Sequence, residues 1–356
     1  MFAKPISIIL VYIMVIINLI IITLPFSAVI FSILILSKSG LAFGSISANL
    51  LNGDLLYKFY KFFMLIGFLV AGLMLIYIIL DMIFGFSVFF SLKNCKRYEK
   101  FKEYDFLSDI FNQVKGKFGQ PRVKLYIKNS NEINAFAVGS FSSKAIVLTH
   151  GIIRHYLNNC SNSQEFSYAL RSIIAHEMSH LINKDFIPGF IIMTNQKATN
   201  LLAKLIHYFF YIFVSVIKFM PYGGSISSFI MNRIYSFVHF IITIFNRFVI
   251  YNIYRFLTLF ISRSVEYRCD YQASRAFGGK KMAFALSMLG KNGYFTIFST
   301  HPNTKSRINN VININVGNSI IMPRIVDSVA NYFSIMILIL IFLCFAEEAG
   351  LMRLIS

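Results

Sequence analysis

Apolar residues come in long unbroken runs near both ends of the chain and in short alternating stretches between them. Ile6 to Leu36 is 31 residues without a charge, interrupted by Pro25, and Phe62 to Leu80 is a further 19. About 20 apolar residues cross a bilayer, so each run predicts a membrane helix, the first with room to tilt or kink at Pro25. That first run is too long for the apolar part of a signal peptide and has no clear cleavage site, so it is expected to stay as an anchor. Val329 to Ala346, 18 residues, predicts a further anchor. Leu205 to Ile217 and Ile234 to Phe245 are shorter, at 13 and 12 residues, on either side of Pro221-Tyr222-Gly223-Gly224. Lys204, Lys218, Arg233 and Arg247 bracket them and can snorkel to headgroups, which favours a membrane hairpin over an amphipathic pair lying on the surface.

The polar blocks carry other periods. Arg122 to Lys128 alternates Val123, Leu125 and Ile127 with Lys124, Tyr126 and Lys128, a strand with one buried face. Ile133 to Val138 and Ala145 to Leu148 predict two more strands, so a sheet of about three is expected. Phe166, Leu170, Ile173 and Ile174 then recur at helical spacing in a helix that starts near Ser163, a good N-cap, and stops before Pro188. The expected fold class is a mainly α membrane protein with a small β-sheet and about four to five transmembrane helices. Its divisions are 1–92 (two membrane helices and an external loop), 93–200 (first cytoplasmic part), 201–261 (hairpin), 262–328 (second cytoplasmic part) and 329–356 (C-terminal apolar segment). No internal repeat or low-complexity linker is present.

Composition supports the membrane assignment. Hydrophobic residues make up 56% and charged residues 14%, against about 25% charged in soluble domains. Lys93, Lys96, Arg97, Lys100 and Lys102 crowd ten residues just after the second apolar run. The positive-inside bias therefore places that end, the amino terminus and the block that follows in the cytoplasm, with Ser39 to Lys58 outside. The net charge of +19 is spread along the chain and flanks apolar segments. That suits anionic lipid headgroups and excludes a nucleic-acid footprint. Cys95, Cys160, Cys269 and Cys344 show no paired spacing, as suits a reducing compartment.

The candidate chemistry lies in His176-Glu177-Met178-Ser179-His180. Imidazoles four positions apart share one helical face and can grip one zinc ion, and the carboxylate beside the first can take a proton from a water the metal activates. With seven His and eight Glu in the chain, an accidental match is less expected. A catalytic zinc needs a third protein ligand. A ligand six residues after His180 would require Gly at 183 and His at 186, where Asn183 and Phe186 stand. After Glu177 the remaining glutamates are Glu266, Glu347 and Glu348, and the last two edge the terminal apolar run. Glu266 is therefore expected on the metal. Asp270, one turn on, is expected to hold a ligand imidazole through its second nitrogen. A surface ion pair of Glu266 with Arg263 or Arg275 is the plainer alternative.

Taken together, Ala175 to His180 with Asp185, Glu266-Tyr267-Arg268-Cys269-Asp270, Asn134-Ala135-Phe136-Ala137 and His301-Pro302-Asn303-Thr304-Lys305-Ser306-Arg307 resemble the motifs of the HtpX-like membrane zinc proteases, relatives of the CAAX prenyl proteases. The likeness covers roughly residues 60 to 310. It implies a zincin-type helical core with one Zn2+ held by His176, His180 and Glu266, Glu177 as general base, and Asp185 and Asp270 as supports. It further implies a substrate laid along Asn134, Ala135, Phe136 and Ala137 as an edge strand, with His301 and Arg307 at the oxyanion or substrate carbonyl. The implied role is cleavage of misfolded or surplus membrane proteins at the cytoplasmic face of a bacterial inner membrane. A protease for a dedicated or prenylated substrate, and a non-catalytic scaffold, are the alternatives. Cys269 stands where the family usually has a small residue, and the C-terminal apolar segment is no part of the family pattern. His207 and His239 are expected to pack within apolar helices, while His150 and His155 carry no assignment.

Overall fold

The computed structural model describes residues 53–218, 251–289 and 302–348, with Phe229, Arg233, Ser236 and Phe240. The first long apolar run and most of Ile234 to Phe245 lie outside the described residues. The chain is mostly helical with a small mixed sheet and divides into two compact units. One holds 78–191, 257–289 and 302–334 of the described residues; the other holds 53–77, 192–218, 251–256 and 335–348.

Helix α1 (Gly53–Phe84) contains Leu65–Phe84, the one helical stretch among the described residues long and apolar enough to cross a bilayer. The four to five spans expected from the apolar runs thus reduce to one among the described residues. The charges that interrupt the other runs are the reason. In the second unit the Phe342 ring stacks on Phe68 at 4.8 Å. Helix α1 stops at Gly85, whose φ of +71° is the left-handed conformation that glycine adopts without strain. A Cβ there would also sit 2.9 Å from Ser140 Oγ. Helix α2 (Phe86–Leu92) follows, capped from the preceding turn: Asp81 accepts from Ser87 N at 2.6 Å and from Ser87 Oγ at 2.7 Å.

The sheet has four strands rather than three. They are β1 (Cys95–Arg97), β2 (Lys124–Lys128), β3 (Ala135–Gly139) and β4 (Lys144–Thr149), in the order β1-β2-β4-β3. β1 is antiparallel to β2, β2 parallel to β4, and β4 antiparallel to β3. The added strand β1 falls in the cation cluster. Lys96 and Arg97 point to solvent and carry no hydrophobic alternation to announce it. β3 is an edge, with Ala135 opposite Leu148 and Ala137 opposite Ile146.

Two helices close the apolar side. In α3 (Leu107–Phe118), Leu107, Ile110, Phe111, Val114 and Phe118 repeat at one-face spacing and are all buried. They meet Leu125, Ile127, Ile146 and Leu148 from the sheet and Tyr156 from α4 (His150–Asn159). Burying each such side chain contributes about 1.5–3 kcal/mol. Helix α5 (Ser163–Ile182) runs through this core. Its cap is Asn162, one residue before the expected Ser163, with Asn162 Oδ1 accepting from Glu165 N at 2.8 Å. From Ser172 to Ser179 every residue of α5 is buried. Its polar side chains therefore sit in the interior and require partners there.

Helix α6 (Phe186–Lys218) is continuous through Leu205 to Ile217, so that stretch is part of a long helix rather than a separate short one. Pro188 lies in its first turn, where a missing N–H costs little. Helices α7 (Tyr251–Phe277), α8 (Gly279–Met288) and α9 (Thr304–Val311) bring back the second polar block, and α10 (Ile325–Glu348) carries the C-terminal apolar run. Gly279 permits close contact between α8 and the segment after α9, because a Cβ there would lie 1.9 Å from the Val311 carbonyl oxygen.

Candidate metal centre

Helices α5 and α7 supply the centre. On α5, positions 176, 179, 180 and 183 share a face, as do 266, 269, 270 and 273 on α7. Three side chains converge between them. His176 Nε2 lies 3.3 Å from His180 Nε2 and 3.4 Å from Glu266 Oε2, and His180 Nε2 lies 3.6 Å from Glu266 Oε1. A tetrahedral metal with bonds of about 2.0–2.1 Å sets its ligand atoms about 3.3 Å apart. The donor set fits such an ion in both spacing and chemistry.

The far side of each ring is backed by a carboxylate. His176 Nδ1 is 2.9 Å from Asp270 Oδ1, and His180 Nδ1 is 3.0 Å from Asp185 Oδ2. A carboxylate at Nδ1 keeps the ring hydrogen there and turns the Nε2 lone pair toward the shared point. The carboxylates are themselves held. Arg307 donates from Nε and Nη2 to the two oxygens of Asp270, both at 2.7 Å, and its Nη2 lies 3.2 Å from Glu266 Oε2. Arg268 donates to Asp185 from its guanidinium.

The charge balance follows from this packing. Burial opposes a charge on His176, but the Glu266 charge and the Asp270 contact more than offset it and push its pKa up to about 10. His180 is likewise raised well above its ordinary value against burial, by Cys269 and by Asp185. Burial would raise Asp270, yet Arg307 and His176 hold it below the usual carboxylate range. The field at the shared point therefore favours positive charge, as a cation site requires. His180, Asp185 and Cys269 also lie close enough to form a second donor group. The Arg268 guanidinium on Asp185 opposes a cation there, which leaves His176, His180 and Glu266 as the better set.

Glu177 is buried beside His176 on the same turn. Asn134 lies just before β3, its N–H donating to Thr149 Oγ1 at 3.2 Å, and Ala135, Phe136 and Ala137 are half-buried on the edge strand that packs along α5. Next to Ala137, Val138 and Gly139 is a cavity of about 120 Å³, walled also by Asp81, Val88 and Phe190. His301 lies outside the described residues. Arg307 was expected on a substrate carbonyl; its guanidinium is instead buried against Asp270 and Glu266, because two carboxylates in the interior need a counter-charge. The thiol of Cys269 lies 3.4 Å from His180 Nδ1. His150 meets Tyr104 Oη at 2.5 Å and His155 meets the Met288 carbonyl at 2.7 Å, both away from the centre. His207 is half-buried on α6.

Sequence reasoning gave no part to Ser179, Asn183, Arg268 or Gln272, although all four are buried beside the donors. Their spacing from His176 and Glu266 was the available signal, since residues three, four or seven positions away share a helix face.

Comparison with known proteins agrees with this arrangement. Residues 105–315 match the profile of Peptidase family M48, more than half of the chain. The Protease HtpX of Buchnera aphidicola subsp. Schizaphis graminum is 26% identical over 221 residues, which covers 55% of this chain and 68% of that protein. A Protease HtpX homolog of Acaryochloris marina is 27% identical over 220 residues, 54% and 67% of the two chains. The Protease HtpX of Mannheimia succiniciproducens is 25% identical over 222 residues, 57% and 70%. A buried His-His-Glu donor set on two facing helices, within a match that runs through both, identifies the chain as a member of peptidase family M48, an HtpX-like metalloendopeptidase.

Proposed function

We propose that this protein is a membrane-anchored zinc endopeptidase that cleaves misfolded or surplus membrane proteins at the cytoplasmic face of a bacterial inner membrane. The observation that carries the reading is the convergence of His176, His180 and Glu266 to spacings of 3.3–3.6 Å beside the buried Glu177. A zinc ion held by these three would supply Lewis acidity toward a water and a peptide carbonyl. Glu177 accepts a proton from the water as its oxygen adds to the carbonyl carbon. It then delivers that proton to the departing amine nitrogen as the C–N bond breaks. Asp270 and Asp185 keep the two imidazoles in the ligating tautomer. The open edge of β3 can add an extended substrate as a further strand, and the cavity beside Val138 can take one of its side chains.

The apolar run outside the described residues, Leu65–Phe84 and the C-terminal run supply the anchors, in four to five spans. The polar blocks 93–200 and 262–328 form the cytoplasmic part. A bilayer-embedded enzyme with an open edge strand suits unfolded and membrane-protein substrates, with no call on nucleic acid.

The test is proteolysis of an unfolded membrane protein alongside metal analysis. Glu177→Gln is expected to retain zinc and lose cleavage by several orders of magnitude, while His176→Ala and His180→Ala lose both. Undiminished cleavage by pure Glu177→Gln protein would refute the mechanism.

A further inference from the structure

Next to the metal donors on both helices is a second layer of polar side chains that the chemistry above does not use. Ser179 and Asn183 of α5 face Gln272 of α7, and the three are 0%, 1% and 5% exposed. The Gln272 side-chain oxygen accepts from Ser179 Oγ and, at 2.6 Å, from Asn183 Nδ2. Its Nε2 donates to the Met322 carbonyl at 3.2 Å. One end of this amide is thus bound to the helix carrying His176 and His180, and the other to the segment after α9.

Asn183 makes the same double connection. Its Nδ2 also donates to the Ser179 carbonyl at 2.7 Å, its Oδ1 accepts from Arg324 N at 3.4 Å, and its backbone carbonyl accepts from Asn331 Nδ2 at 3.3 Å. The segment itself is tied down. Gly317 N donates to the Arg275 carbonyl at 2.8 Å, Lys117 Nζ donates to the Gly317 carbonyl at 2.7 Å, and Ile321 N donates to the Lys117 carbonyl at 3.0 Å. Met322, Arg324 and Asn331 all lie beyond residue 315, where the family match ends.

Buried amides are costly to leave unpaired, so a fully used layer resists sliding of one helix against the other. Three donors that must meet within about 0.5 Å of the right geometry are sensitive to such sliding. We infer that Ser179, Asn183 and Gln272, closed over by Gly317–Asn331, are positioning residues that set the spacing of the two donor helices. Metal affinity in this chain then depends on a segment outside the family domain. The inference rests on reading His176, His180 and Glu266 as the metal donors.

The full-length protein in detergent is titrated with zinc against a chelator, and separately loaded with cobalt(II), whose visible absorption reports ligand geometry. Gln272→Met keeps the side-chain length and removes every hydrogen bond. It is expected to raise the zinc Kd by about 10–100-fold and to shift the cobalt bands. Ser179→Ala and Asn331→Ala, which each remove one connection, are expected to weaken binding several-fold. A folded Gln272→Met protein with the parent's zinc affinity and cobalt spectrum overturns the inference. Should that variant fail to fold, parent values in both milder variants overturn it. Zinc affinity unchanged in His176→Ala would instead refute the donor assignment, so the two readings fail separately.

Discussion

Arg307 is the residue whose surroundings differ most from its expected ones. Beside Pro302 and before a short helix it reads as a solvated cation or a substrate contact, yet it is 8% exposed and clamps Asp270 with two 2.7 Å hydrogen bonds. Breaking a buried pair from one side leaves the other charge uncompensated, at a cost of about 3–5 kcal/mol. Arg307→Met should therefore lower the unfolding free energy by about that amount. Arg307→Lys should rescue little, because an ammonium cannot reproduce the two-pronged contact. Denaturant unfolding of the purified protein measures both, and a stable Arg307→Met variant would show that Asp270 needs no such partner. Glu266, by contrast, could be found by counting. Only three glutamates follow the His176 to His180 motif, and two edge an apolar run.

Helix α2 shows how far periodicity carries at the level of elements. The run Phe86 to Leu92 reads as a continuation of the membrane helix, but Gly85 breaks it and Asp81 caps a new helix behind the break. Val88 is buried facing the β3 strand, while Phe86, Phe89 and Phe90 are 47%, 69% and 69% exposed just ahead of the five-cation cluster. Exposed aromatics beside a candidate span and a basic segment suit the headgroup region of an anionic bilayer. The chain contains no tryptophan, so Phe89→Trp places a single fluorophore there. In lipid nanodiscs its emission should be blue-shifted and quenched more by lipids brominated near the headgroup than by lipids brominated deep in the chains. Unquenched emission like that of tryptophan in water would place α2 away from the membrane. Strands β2, β3 and β4 were readable because alternating apolar residues occupy the buried face. β1 was hidden because it is an edge of three residues whose pairing, not its side chains, makes it a strand.

For the protein as a whole, the cation cluster after Leu92 sets the orientation. In a background lacking the four native cysteines, a membrane-impermeant maleimide added outside should label a cysteine at Asn52 and leave one at Asn309 unlabelled. The reverse pattern would invert the topology and move the proposed site to the other face of the membrane. Unbroken apolar length, cation bias and the His-Glu-x-x-His spacing are local properties of the chain. They were legible without coordinates, and with them the class of chemistry. The partners of Arg307, the joining of α5 to α7 through Gln272 and the docking of residues 317–331 were not. These contacts link positions 37 to 148 residues apart. Buried polar groups acquire partners through packing, and no period or motif along the chain encodes which distant segment will supply them.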